Sequence, residues 1–118
     1  EEGATCEIGY SAIDGACSNS EDAPLVSLGH NRMLDLGTDT CALSGLSDQV
    51  LTSDEMALGL LDFHGGQTPT HLPSSESLLI DAIAAEVCHA DVLEDQRGKP
   101  RDGSSPCDVG AVEVQPDD

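Results

Sequence analysis

Three of the four Lys and Arg residues of this chain fall between Arg97 and Arg101, in the run DQRGKPRDGSSPC, amid 23 Asp and Glu. Two kinds of chemistry suit such a cluster. Arg97, Lys99 and Arg101 could bind an anionic sugar, or a guanidinium could bridge the chain's own carboxylates through bidentate, charge-assisted hydrogen bonds. Arg97 stands beside Asp95, and Asp81 and Asp108 are further carboxylates for a structural salt bridge. Gly98, Pro100 and Gly103 make the segment turn-rich. The structural reading is therefore preferred, with Arg97 buried against carboxylate and Lys99 and Arg101 more exposed.

The other reactive side chains carry weaker patterns. His64 and His71 lie in one loop near Asp62, types that could hold a metal ion or supply a general base. The reading preferred for His71 is a hydrogen bond to backbone in a turn. Asp35 and Asp39 form D-x-G-x-D, a fragment of a calcium loop that lacks the Gly at position 6 and the Glu at position 12. They are weak candidates for calcium, the one cofactor the composition suits. Carboxylate pairs such as Asp54-Glu55 mean little for acid/base work on so acidic a surface. No nucleophile elbow, phosphate loop, H-E-x-x-H or dinucleotide fingerprint occurs, so catalytic residues are not assigned.

The formal net charge of −19 excludes nucleic acid or anionic lipid as partners of a basic surface. A hydrophobic content of 38%, gathered in clusters such as LVSLG, MALGLLDF and SLLIDAIAA, argues for an ordered fold rather than a disordered acidic tail. Tyr10 and Phe63 are the only aromatic residues, so the core must be aliphatic. No apolar run approaches the ~20 residues of a membrane span, and the first residues lack a basic region followed by an apolar one. The five cysteines show no zinc-site spacing and suit disulfides in an oxidising compartment, with one left over.

The elements that must position these groups are short. TCEIGYSAI, residues 5–13, alternates in polarity and reads as one strand before the Asp14-Gly15 turn. PLVSLGHN reads as a second. Ser53 to Phe63 can begin with a helical turn, Ser53 its N-cap, although Gly59 opposes extension. HGGQTPTHLP reads as a loop. Leu79, Ile80, Ile83, Ala84 and Val87 stand at helical spacing and predict two to three turns. CDVGAVEV predicts a strand, and QPDD, residues 115–118, a frayed acidic tail.

In order, HNRMLDLGTDTCALSG, LLDFHGGQTPTHLP, LLIDA, DQRGKPR and CDVGAVE resemble the C-terminal ends of bacterial surface and secreted proteins with right-handed parallel β-helix repeats, of the choice-of-anchor and polymorphic outer-membrane types. The resemblance spans about residues 26–114. His64, Gln67, Leu78-Leu79, Asp102 and Val112 depart from its usual wording.

The resemblance implies a mainly β fold in which residues 1–114 are the terminal coils of a right-handed parallel β-helix, with long loops and one short helix. Such an end is completed by upstream coils of the same precursor or by other subunits. It implies a secreted or outer-surface location and a non-enzymatic role, capping or joining a larger β-helix in an adhesin, sheath or filament. The alternative is the non-catalytic C-terminal part of a polysaccharide-degrading enzyme. Cys88 and Cys107 bracket the basic motif and are expected to pair; a bridge there would remove unfolded-state loop entropy worth about 3 kcal/mol. Cys17–Cys41 is the second pair, resting mainly on the resemblance. Cys6 is then the odd thiol, for a partner upstream or in another chain.

Overall fold

The computed structural model describes residues 5–37, 41–88, 91–101 and 105–118. The fold is mainly β, with short strands and little helix, and the chain divides into two compact units, residues 1–52 and 53–118.

The first unit is built from β1 (Cys6–Gly9), β2 (Ala12–Ile13), β3 (Leu25–Gly29), β4 (Arg32–Leu34) and β5 (Gln49–Leu51). The stretch expected as one strand is two, because Tyr10 takes φ 57° and turns the chain between β1 and β2. His30, φ 59°, does the same between β3 and β4, and Ser47, φ 61°, precedes β5. The pieces stack in parallel. β1 pairs with β3 (Cys6 opposite Leu25), β2 with β4 (Ala12 opposite Arg32), and β4 with β5 (Arg32 opposite Gln49). Backbone bonds from Tyr10 N to Gly29 O and from His30 N to Leu46 O carry the ladder through the corners, where the Tyr10 and His30 rings stack 5.1 Å apart. Gly29 has φ 95°, and a Cβ there would lie 2.7 Å from Leu46 O, so only glycine fits the corner.

Behind the corners a polar post replaces apolar packing. Asn31 is fully buried; its Oδ1 accepts from Ser11 N and its Nδ2 donates to Ile8 O and Ser27 Oγ. Asp48 accepts from Asn31 N, Gly45 N and the Ser27 hydroxyl. Burial pushes the Asp48 carboxyl up, but these hydrogen bonds together hold it below the usual aspartate range. Met33, Cys41 and Leu43 form the core, with Ile8, Ile13, Cys17 and Leu25 against it. A disulfide joins Cys17 to Cys41 through this cluster.

The second unit opens with the helical turn α1 (Ser53–Met56), where Asp54 and Glu55 occupy the first turn and Met56 is buried. β6 (Leu58–Asp62) and β7 (Thr70–Pro73) follow as an antiparallel pair, so the predicted loop HGGQTPTHLP ends in a strand. Two further expectations are corrected. Residues 79–87 do not form two to three helical turns; only a 3-10 turn, Ala85–Val87, is present. Asp81 takes φ 53°, and the backbone partners are non-local: Ile83 exchanges bonds with Cys107, and Val109 N donates to Leu79 O. CDVGAVEV is not a strand either, since Gly110 turns with φ 104° and Val109, Val112 and Glu113 are all buried, against strict alternation. The helical spacing and the alternation mark instead the buried aliphatic side chains of Leu79, Ile83, Val109 and Val112.

Among the described residues parallel pairing is thus confined to the first unit. The sheets are small and mixed, of two or three strands, and among the described residues none forms a continuous solenoid. No helix among them is long and apolar enough to cross a membrane.

Candidate functional site

The basic cluster of the second unit closes on Asp95. Its Oδ1 accepts from Arg97 N (2.8 Å) and Lys99 N (3.0 Å), winding Asp95–Lys99 into a turn, and its Oδ2 accepts from Glu113 N (2.9 Å). This is the local hydrogen bonding for which aspartate suits turns. The same Oδ2 takes Arg97 Nε at 3.0 Å, and both side chains are wholly buried.

Arg97 spends every donor it has. Beyond Nε, Nη1 donates to His64 O (3.0 Å) and Asp118 Oδ1 (2.9 Å), and Nη2 to Glu113 O (2.9 Å) and Asp118 Oδ2 (2.9 Å). A guanidinium carries five N–H groups, and each is matched here. The Asp118 hydrogen bonds hold Arg97 further above its ordinary range, against the effect of burial. In return, Arg97 holds Asp118 below the usual range. Burial pushes Asp95 up, but the N–H donors of Glu113, Lys99 and Arg97 and the Arg97 side chain pull it down further.

The loop of residues 64–69 packs directly on this turn. Gln96 Nε2 donates to Thr68 Oγ1 (2.8 Å) and Pro69 O (3.2 Å). Gly66, φ 85°, lies so close that a Cβ would stand 2.8 Å from Arg97 Cα. DFHGGQTP and DQRG therefore meet as two sides of one joint.

A second layer surrounds Arg101. Its Nη1 donates to Glu113 Oε1 (2.8 Å) and its Nη2 to Gly110 O (2.8 Å). Asp108 N also donates to Glu113 Oε1, while the Asp108 carboxylate accepts from Asp81 N (2.7 Å) and Val114 N (2.7 Å). Burial raises both Asp108 and Glu113 above their ordinary ranges; the Asp81 charge adds to the rise of Asp108, and the Asp108 charge to that of Glu113.

Of the expected partners of Arg97, only Asp95 binds its side chain. Asp81 and Asp108 do not: Asp81 is exposed and engages Asp108 through its backbone N–H. Their place is taken by Asp118 and two carbonyls. Arg101, expected to be exposed, is 14% exposed in its side chain and tied to Glu113. Lys99 is half-buried and makes no ion pair among the described residues. The QPDD end is held by Asp118 on Arg97 rather than frayed. Asp118 gave no signal beyond being an acid; Glu113 gave one, a charge inside the apolar run VGAVEV, which when buried requires a cation.

A disulfide joins Cys88 to Cys107 beside this network, and Cys6 is free and exposed. His71 Nδ1 donates to Gly59 O at 2.7 Å, a backbone contact across the β6–β7 pair. His64 joins the joint through its carbonyl, not its ring. Asp35 Oδ1 accepts from Gly37 N (2.8 Å), and its suggested calcium partner Asp39 lies outside the described residues. Among those residues no group of three or more His, Cys, Asp or Glu could hold a metal ion.

The arrangement leaves Arg97 no donor for a ligand, which removes it from any anionic-sugar site. Chemically it is a clamp between the 64–69 loop, the 95–99 turn and the 113–118 segment. The chain matches no protein-family model, no curated protein and no solved structure.

Proposed function

We propose that the protein is a non-enzymatic structural element of an extracellular or cell-surface assembly, capping or joining a larger parallel β-stack such as an adhesin, sheath or filament. The observation that carries this reading is the corner-to-corner parallel stacking of β1–β2 on β3–β4 and of β4 on β5. Each outer strand is paired along one edge among the described residues. An unpaired parallel edge offers backbone groups to a further coil, from upstream in a precursor or from another subunit. The buried clamp around Arg97 supports the same reading, because it uses the chain's conspicuous charges for internal closure. Two disulfides suit a secreted protein. At a net charge of −19, calcium would favour assembly by relieving repulsion.

Sedimentation velocity of the chain across a calcium titration tests this. Association that strengthens with calcium is expected. A compact monomer indifferent to calcium that hydrolyses a polysaccharide would overturn the reading in favour of an enzyme.

A further inference from the structure

The second unit holds an apolar surface that neither the clamp nor the parallel stack uses. Leu60 is 89% exposed, Leu61 59% and Phe63 65%. The register shifts between Leu58 and Leu61, and from Gly59 to Asp62 every residue of β6 is exposed. One edge of β6 pairs with β7; the other bonds no backbone among the described residues. Edge strands are ordinarily guarded by lysine, proline, a bulge or an inward charge, and β6 (LGLLD) has neither lysine nor proline, only an irregularity between Leu58 and Leu61 and Asp62 at its end.

Charge decides between occupants. Residues 53–118 carry 14 Asp and Glu against 3 Lys and Arg, a net −11, and Asp54, Glu55 and Asp62 lie on or next to β6 in sequence. A second copy would bring the same acidic surface to the edge. A cationic strand would gain attraction where a copy meets repulsion. We propose that the free edge of β6 is a docking site for an extended segment of another protein in which aliphatic residues alternate with Lys or Arg. Its backbone would extend the β6–β7 pair by one strand. Its aliphatic side chains would cover Leu60 or Leu61, and its cations would face the acidic surroundings. The surface is separate from the strand edges of residues 1–52, so either proposal can fail alone.

The probe is a synthetic ten-residue peptide of alternating Val and Lys, titrated into the full chain by calorimetry, with amide hydrogen exchange read along residues 58–63. Expected are slowed exchange in β6, binding that weakens as salt rises, and a loss of affinity of at least tenfold on Leu60→Asp or on N-methylation of alternate peptide amides. Leu60 is exposed, so that variant should keep the parent melting temperature, which is checked alongside. Three results would overturn the proposal: no binding, equal binding of the N-methylated peptide, or equal binding by Leu60→Asp. Each of the last two would mean attraction by charge alone. Self-association of the chain lost in Leu60→Asp would instead assign the edge to a second copy and also overturn it.

Discussion

Arg97 and Asp118 meet fork to fork, Nη1 on Oδ1 and Nη2 on Oδ2, each at 2.9 Å. The contact fixes the orientation of the guanidinium plane that also serves Asp95 and the carbonyls of His64 and Glu113. Because Asp95 is wholly buried, its charge is stranded when the arginine goes.

Arg97→Ala should therefore cost about 3 kcal/mol or more of unfolding free energy, the range for breaking a buried pair. Arg97→Lys should recover little, since an ammonium cannot reproduce the fork. Lys99→Ala should change stability by less than about 0.5 kcal/mol, as surface substitutions do. Urea denaturation of the three variants checks the order. Equal small effects would show a solvated patch.

Asp118→Asn keeps the shape of the acid and removes its charge. A loss of about 1.5 kcal/mol is expected, the lower end for hydrogen bonds to charged groups. The Arg97→Ala background should abolish that loss, because the partner is already gone. A double-mutant cycle with additive effects would contradict the pairing.

Gly66→Ala tests the joint without touching a charge. The added methyl would meet Arg97 backbone from a left-handed conformation that alanine resists. It should lower the melting temperature and speed hydrogen exchange at Arg97 and Lys99, whose amides are held by Asp95.

Acid should act in two stages of opposite sign. Asp108 and Glu113 are raised by burial, so their contribution to stability is present below the ordinary carboxylate range and is lost as pH rises through their raised values. Asp95 and Asp118 are lowered, so their contribution is present above that range and is lost as pH falls through their lowered values. With unfolded carboxylates at pH ~4, stability should rise as pH falls from neutral toward that range and decline once pH drops below it. Thermal melts across that range check the maximum. A steady decline from pH 7 downward would contradict the raised pair.

Alkylation of the native, unreduced chain should label one cysteine, Cys6. Reduction before labelling should expose the other four and cost about 3 kcal/mol for each bridge in the chain-entropy account.

The legible parts of the sequence were those whose partners are close by. The Asp95–Arg97 contact spans two residues, Ser53–Met56 forms its helical turn from local acids, and LVSLG is a strand by composition. Where the chain bonds at long range, local patterns mislead. Leu79 and Ile83 stand four apart, as on a helix, yet their carbonyls accept from Val109 and Cys107. Gly29-His30-Asn31 are residue types that favour a tight bend, and the chain turns there; Tyr10 gives no such signal, because the stacking of one strand pair on the next, not the residue, holds its positive φ. Of the parallel β-helix implied by resemblance, the described residues show parallel pairing within residues 1–52. In residues 53–118 the pair is antiparallel, and the remaining described residues are held by isolated backbone bridges and side-chain carboxylates rather than by a continuous ladder.

The fate of the basic side chains has a bearing on digestion. A trypsin-like protease must draw Lys or Arg, with flanking backbone, into its cleft. Arg32 is buried in β4, where it donates to Asn31 O and Ser47 O, and Arg97 is locked on both sides of its turn. Lys99 precedes Pro100, a bond such enzymes cleave poorly, and Arg101 is held by Glu113 and Gly110. The folded chain thus hides nearly every site for this class of enzyme, and such a protease should cut it only as fast as it unfolds.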